Sequence, residues 1–261
     1  MILTDTHAHL YAEQFSEDRE EMLKRAFDSG VKRIFLPAID TETHQQLIAL
    51  ADQFPSTCFP MMGLHPCSVD AATIEKEFAA IEEWHARRKF IAVGEIGIDL
   101  YWDKTQLALQ QEIFAKQIDL ALKLKLPVII HSRSAFKECY DIVKEKKLGK
   151  GGEHLKGIFH CFSDGIEEAQ KVIALGGFMM GIGGVLTFKN SGLDKVVEHF
   201  GSEHFVLETD APYLAPVPNR GKRNESSYLV HIAKKFAEIK KCTVEELAQI
   251  TTENSRTIFG I

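Results

Sequence analysis

The segment ILTDTHAHL, residues 2–10, sets an aspartate and two histidines at alternate places in an apolar run. On a β-strand alternate side chains share a face, so Asp5, His7 and His9 point one way. Three such groups in a row are costly to bury without partners. The chemistry they offer together is metal coordination. Residues of the same kinds recur where other apolar runs finish: His65 in MMGLHP, Glu95 in AVGEIG, His131 in VIIHSR, His160 in IFHCFS and Asp210 in VLETDAP. An H-x-H pair alone is a weak signal, and a lone glutamate after an apolar run is more often an ion-pair partner. Five of the eleven histidines and two carboxylates at the same end of such runs form a much stronger one. Asp5 and Glu208 share the parity of these groups but lie deeper, as acceptors for ligand histidines or partners for buried cations. Cys161, next to His160, has the opposite parity and is expected to face a helix.

The runs that must carry these groups start at Ile2, Arg33, Thr57, Phe90, Pro127, Gly157, Gly177 and His204. Several are apolar on both faces, as buried parallel strands require. Helical patterns lie between them. Ser16 is a suitable N-cap before Met22, Leu23, Ala26 and Phe27, and Gly30 can close that helix. A second stripe runs through Ile113, Phe114, Ile118, Ala121 and Leu122, within about residues 104–125. TIEKEFAAIEEWHARR and SSYLVHIAKKFAEIKK read the same way. Eight strand–helix units in this length predict an α/β fold, a (β/α)8 TIM barrel spanning residues 1–261 as a single domain. The barrel places its active site at the C-terminal ends of the strands, where the histidines and carboxylates fall. A doubly wound open sheet is the alternative, but no G-x-G-x-x-G follows the first strand.

Composition narrows the setting. The hydrophobic content of 45% and charged content of 26% are ordinary for a globular protein. No apolar run reaches the ~20 residues that span a bilayer, and the N-terminus lacks the marks of a signal peptide. Five scattered cysteines without a C-x-x-C pair predict reduced thiols and a cytoplasmic protein. The net charge of −6 argues against bulk electrostatic coating of nucleic acid. It leaves room for an enzyme that grips a few phosphates. No membrane contact and no obligate protein partner is indicated.

DTHAH, GLHP, GEIGID, HSR, HCFS, LETDAP, RGKRNE and NSRTIF occur in the order and spacing of TatD-like metal-dependent deoxyribonucleases. The chain resembles this family, part of the amidohydrolase-like superfamily, from Thr4 to about Phe259. The resemblance implies a divalent-metal phosphodiesterase, an exonuclease acting on single-stranded DNA or frayed ends. It also implies two divalent ions. One would be held by His7, His9, Glu95 and Asp210, the other by Glu95, His131 and His160, with Glu95 bridging. His65 would contact the substrate phosphate or a third ion. Ser226 stands where many relatives have proline, and Leu100 where an aromatic residue is common. Both departures are expected on the substrate side.

Residue chemistry supplies the rest. Mixed imidazole and carboxylate ligands suit Zn, Mn, Fe or Ni, whereas Mg favours oxygen ligands. A two-metal site lowers the pKa of a shared water and stabilises the attacking and leaving oxygens. A metal-bridging hydroxide is therefore the expected nucleophile, with Glu95 and Asp210 as catalytic residues. Asp210 is placed to accept the water's proton. Arg133, with the parity of His131, and Arg220, Lys222 and Arg223 after the eighth strand would meet phosphates. Tyr101, Trp102 and Phe162 are candidates for base stacking. The alternative is hydrolysis of a carbonyl substrate, such as an amide, lactone or aminoacyl ester, by the same hydroxide, but the cationic loop suits a phosphodiester and a small neutral substrate has no need of it. A non-catalytic scaffold has no use for six converging ligands.

Overall fold

The apolar runs become short strands because both faces are covered, one by helices and the other by the barrel interior. The computed structural model describes residues 1–261. Its strands are β1 (Leu3–Asp5), β2 (Val31–Leu36), β3 (Cys58–Pro60), β4 (Val93–Asp99), β5 (Val128–Arg133), β6 (Gly157–Phe159), β7 (Phe178–Ile182) and β8 (Phe205–Leu207). They form two parallel sheets, one ordered β1-β2-β3 and the other β4-β5-β6-β7-β8. Isolated parallel bridges, Met62 to Val93 and Ala8 to Ala211, join the sheets at both edges. The result is a closed (β/α)8 barrel.

The helices are α1 (Arg19–Asp28), α2 (His44–Gln53), α3 (Ile74–Arg87), α4 (Leu107–Leu124), α5 (Phe136–Leu148), α6 (Ile166–Leu175), α7 (Leu193–His199), α8 (Leu229–Lys240) and α9 (Val244–Phe259). There are nine rather than eight. The start of α9 is a capping box: the Thr243 side chain accepts from the Glu246 backbone while the Glu246 carboxylate accepts from Thr243 N–H. Ser16 is not the cap of α1, since the helix begins after Asp18. Gly30, at φ 96°, does turn the chain out of α1 into β2.

The core has two layers. A large cluster fills the space between strands and helices, built on residues such as Leu3, Ile34, Ile98, Phe114, Phe159 and Phe236. A smaller cluster fills the barrel interior below the catalytic end: Phe35, Met61, Ile129, Ile158 and Val206, with Ile258 and Phe259 of α9. Phe259 stacks on Phe35 with ring centroids 4.1 Å apart. The last turn of α9 therefore plugs the base of the barrel, and solvent reaches the interior from the other mouth. No helix is long and apolar enough to cross a membrane.

Candidate metal centre

Strand β1 stops at Asp5, so His7 and His9 lie just beyond it rather than on it. Barrel closure fixes them there. Asp210 N–H donates to His7 O at 2.9 Å, and His9 N–H donates to Ala211 O at 2.7 Å. The bonds that join the first strand's end to the last strand's end thus set both histidines beside Asp210. Asp210 itself is left-handed, at φ 57°, a conformation that non-glycine residues hold only under surrounding constraint. Asn224 supplies part of that constraint, donating through Nδ2 to Thr209 O and Tyr213 O, each at 2.7 Å.

Glu95 does not end β4 but sits inside it, because the strand continues to Asp99. Gly97 pairs with His131 across β4 and β5. Its φ is 148°, and a side chain there would strike the His131 carbonyl oxygen. Glycine at this place lets β5 bring His131 close to Glu95.

The Glu95 carboxylate is the hub. Its Oε2 faces His7 Nε2 at 3.0 Å and His9 Nε2 at 3.4 Å. Its Oε1 faces His131 Nδ1 at 2.8 Å, His160 Nε2 at 2.8 Å and His65 Nε2 at 3.3 Å. Asp210 Oδ1 lies 3.7 Å from both His7 Nε2 and His9 Nε2. Three groups bring ligand atoms within 4.8 Å of one another: His7, His9 and Glu95; His7, His160 and Asp210; and His65, Glu95 and His131. All six expected ligands meet here, and His65 joins them. The centre opens into a cavity of about 650 Å³.

Hydrogen bonds behind the imidazoles fix which nitrogen faces inward. Tyr11 Oη donates to Pro37 O at 2.8 Å and so accepts from His9 Nδ1 at 2.9 Å. His9 Nε2 is then left with a lone pair directed at Glu95 and Asp210. Asp99 Oδ2 takes His131 Nε2–H at 2.9 Å, directing Nδ1 at Glu95. His160 Nε2 faces Glu95 at 2.8 Å, while its Nδ1 lies 3.5 Å from Glu208 Oε1 with no hydrogen-bond partner. Two ring nitrogens, His9 Nε2 and His131 Nδ1, therefore point lone pairs at carboxylate oxygens. A proton or a cation must sit between them, and bound metal satisfies them together. Sequence reasoning missed Tyr11 and Asp99. Both were within reach of it: Tyr11 extends the alternation of Asp5, His7 and His9, and Asp99 that of Glu95 and Gly97.

The electrostatics follow from burial and crowding. Burial pushes the His160 imidazolium down, but the Glu95 and Glu208 charges more than reverse this and hold its pKa well above the ordinary value. Burial also opposes ionisation of Glu95, yet the surrounding imidazoles hold it well below the carboxylate range. Burial pushes the Asp210 carboxyl up to about 6, only partly offset by His160 and His9.

Several sequence expectations change. Asp5 accepts from no ligand imidazole. It takes Thr209 N–H at 2.9 Å, Thr209 Oγ1–H at 2.6 Å and Ser226 Oγ–H at 2.6 Å. It braces the ends of β1 and β8 instead. Ser226 is accordingly buried behind the site, not on the substrate side, and Leu100 packs in the outer core. Glu208 fits beside His160 because Gly181 has no side chain to collide with it. Cys161 is left-handed at φ 46°, which breaks the alternation and lets it line the cavity rather than face a helix. Phe162 is buried against Phe136 and is closed to a base.

The cations divide. Arg133 lines the cavity with its guanidinium 3.8 Å from the Tyr101 ring centroid. Arg220 lies over Phe188, 4.3 Å from the centroid. Arg223 turns away from the cavity: it bonds both oxygens of Asp18 at 2.7 Å and lies over Phe15. The expected phosphate contact at Arg223 is thus replaced by an ion pair that straps the β8 loop to the start of α1.

A model of the family described as TatD related DNase matches residues 4–260. The uncharacterized metal-dependent hydrolase YabD of Bacillus subtilis is 40% identical over 262 residues, covering 100% of both chains. A protein of Shigella flexneri named 3'-5' ssDNA/RNA exonuclease TatD is 33% identical over 267 residues, covering 98% of each. The crystal structure of YJJV, a TatD homolog from Escherichia coli, superposes with a TM-score of 0.90 at 30% identity, covering 99% of this chain and 98% of that one. With the barrel and the histidine–carboxylate centre, these likenesses identify a metal-dependent hydrolase, and the chain belongs to the TatD related DNase family.

Proposed function

We propose that this hydrolase cleaves DNA phosphodiester bonds with two divalent ions, removing nucleotides from single-stranded or frayed ends in the cytoplasm. The observation that carries the reading is the division of labour at Glu95. One of its oxygens faces His7 and His9, and the other faces His65, His131 and His160. A single carboxylate so placed suits two ions better than one. When bound, the ions would acidify a shared water and stabilise both the attacking and the leaving oxygen.

The protein's own groups do the rest. His7 and His9 with Asp210 would hold one ion, and His131 and His160 the other. Asp210 has no hydrogen-bond donor committed to its carboxylate, so one oxygen could hold an ion while the other accepts the water's proton. Arg133 at the rim would meet the anionic backbone, which favours a phosphodiester over a small neutral carbonyl compound. The naming of the Shigella flexneri relative as an ssDNA/RNA exonuclease supports a nucleic-acid substrate. Five free thiols suit a reducing compartment.

The test pairs metal analysis with a time course on end-labelled single-stranded DNA. Wild type should carry two ions per chain and shorten the strand stepwise from an end. Glu95→Ala should lose both ions and the activity. Loss of one ion alone would refute bridging, and an intact strand after full metal loading would refute the substrate.

A further inference from the structure

Tyr101 and Trp102 follow β4 and are 57% and 73% exposed, the most open aromatic residues of the chain. Leaving two neighbouring aromatic rings in water is unfavourable, so a fold that does so at a cavity mouth calls for an explanation. Their rings stand at 90° with centroids 4.9 Å apart. The Arg133 guanidinium covers Tyr101 at 3.8 Å and lies 5.5 Å from the Trp102 centroid. Stacked on rings rather than committed to a carboxylate, it keeps its N–H groups for a ligand.

The surroundings are asymmetric. Trp102 and Arg133 line the cavity that holds the metal centre. Trp102 also borders a second cleft of about 670 Å³, whose walls include Asp40, Glu42, Asp70, Asp99 and Asp103. A phosphate is repelled from the acidic side and attracted to the Arg133 side. A planar neutral group has no such bar and can lie on the open Trp102 ring.

We infer that Trp102, Tyr101 and Arg133 form a nucleotide subsite, in which an unpaired base stacks on Trp102 while Arg133 takes the adjoining phosphate. The inference rests on the nucleic-acid reading above and deepens it. A base in a duplex has both faces covered by its neighbours, so the subsite accepts only unstacked, single-stranded residues. Trp102 is thus a specificity-determining contact in the cavity shared with the candidate ligands rather than a participant in bond cleavage.

Binding separates the two proposals. Fluorescein-labelled octathymidylate with phosphorothioate linkages, which resist hydrolysis, is titrated with metal-loaded full-length protein, and anisotropy is read. The same titration is run with a strand of equal length and the same linkages built of abasic residues. Trp102→Ala should weaken octathymidylate binding about tenfold, the usual scale for loss of one base–aromatic stack. Trp102→Phe should recover most of it. Neither variant should change binding of the abasic strand, and both should melt with wild type. Equal losses on the two strands, no loss on either, or failure of wild type to bind octathymidylate would each overturn the subsite. Normal stacking behaviour with no hydrolysis in the metal-loaded time course would refute the nuclease reading and leave the subsite standing.

Discussion

Tyr11→Phe removes one oxygen and tests the support behind the metal centre. Tyr11 is 2% exposed, and its hydroxyl makes two bonds, to Pro37 O at 2.8 Å and from His9 Nδ1 at 2.9 Å. Phenylalanine fits the same space but strands a carbonyl oxygen and an imidazole N–H. Each unsatisfied buried group costs about 1–3 kcal/mol. The extra apolar character of the ring offsets part of this, so the metal-free protein should lose about 2–4 kcal/mol. A second effect acts only with metal. His9 is no longer held with Nε2 inward, and loss of such an orienting bond weakens metal binding by roughly 10–100-fold. Urea unfolding in EDTA measures the first effect, and Mn or Zn titration under native conditions the second. A variant that unfolds earlier but binds metal as tightly as wild type would show that Tyr11 supports the fold without orienting His9. That result would refute the tautomer argument.

Asp210→Asn should keep its ions and lose turnover by about 100-fold or more, the scale of general acid–base catalysis; if Glu208→Gln has that effect and Asp210→Asn does not, the wrong carboxylate has been assigned. Arg223→Ala should cost about 1 kcal/mol in urea unfolding, since its pair with Asp18 is partly exposed, and should leave single-stranded DNA binding within about twofold of wild type. Burial lowers the His85 pKa to about 4. The unfolded chain therefore takes up a proton near pH 6.5 that the folded one refuses, and stability falls as pH drops from 6.5 to 4. His85→Leu, which preserves packing on Phe90, should flatten that fall by about 1–3 kcal/mol, allowing for screening at a half-buried site. An unchanged slope between pH 7 and pH 5 in urea unfolding would sink this assignment.

The centre was legible in the sequence because it is built from residue types that are costly to bury and lie in or just after the apolar runs, although Glu95 and His131 prove to sit within β4 and β5 and His7 and His9 beyond β1. His7, His9, Glu95, His131, His160 and Asp210 needed only the strand pattern to be grouped. What escaped were features set by backbone geometry. The left-handed Cys161 defeats a parity argument, because alternation fails as soon as a residue leaves the extended region. Arg223 read as a phosphate contact because its loop is cationic, and its partner Asp18 lies 205 residues away in sequence. Helix α9 carried its own start signal in Thr243 and Glu246. Its role as the plug depends on Phe259 meeting Phe35 across the barrel, which no local pattern records.

The barrel is made of two arcs, three strands and five, whose edges meet at single bridges. His7 and His9 follow the last residue of β1, and His65 follows β3, so all three belong to the smaller arc. Glu95, His131, His160 and Asp210 belong to the larger. Each of the three convergent ligand groups takes atoms from both arcs. Ions held there would act as rivets across the two seams, adding to the backbone bonds that already cross them, such as Met62 N–H to Ala92 O and His9 N–H to Ala211 O. The machinery that cuts the substrate would also fasten the cask, and chelation would withdraw those rivets from both seams at once.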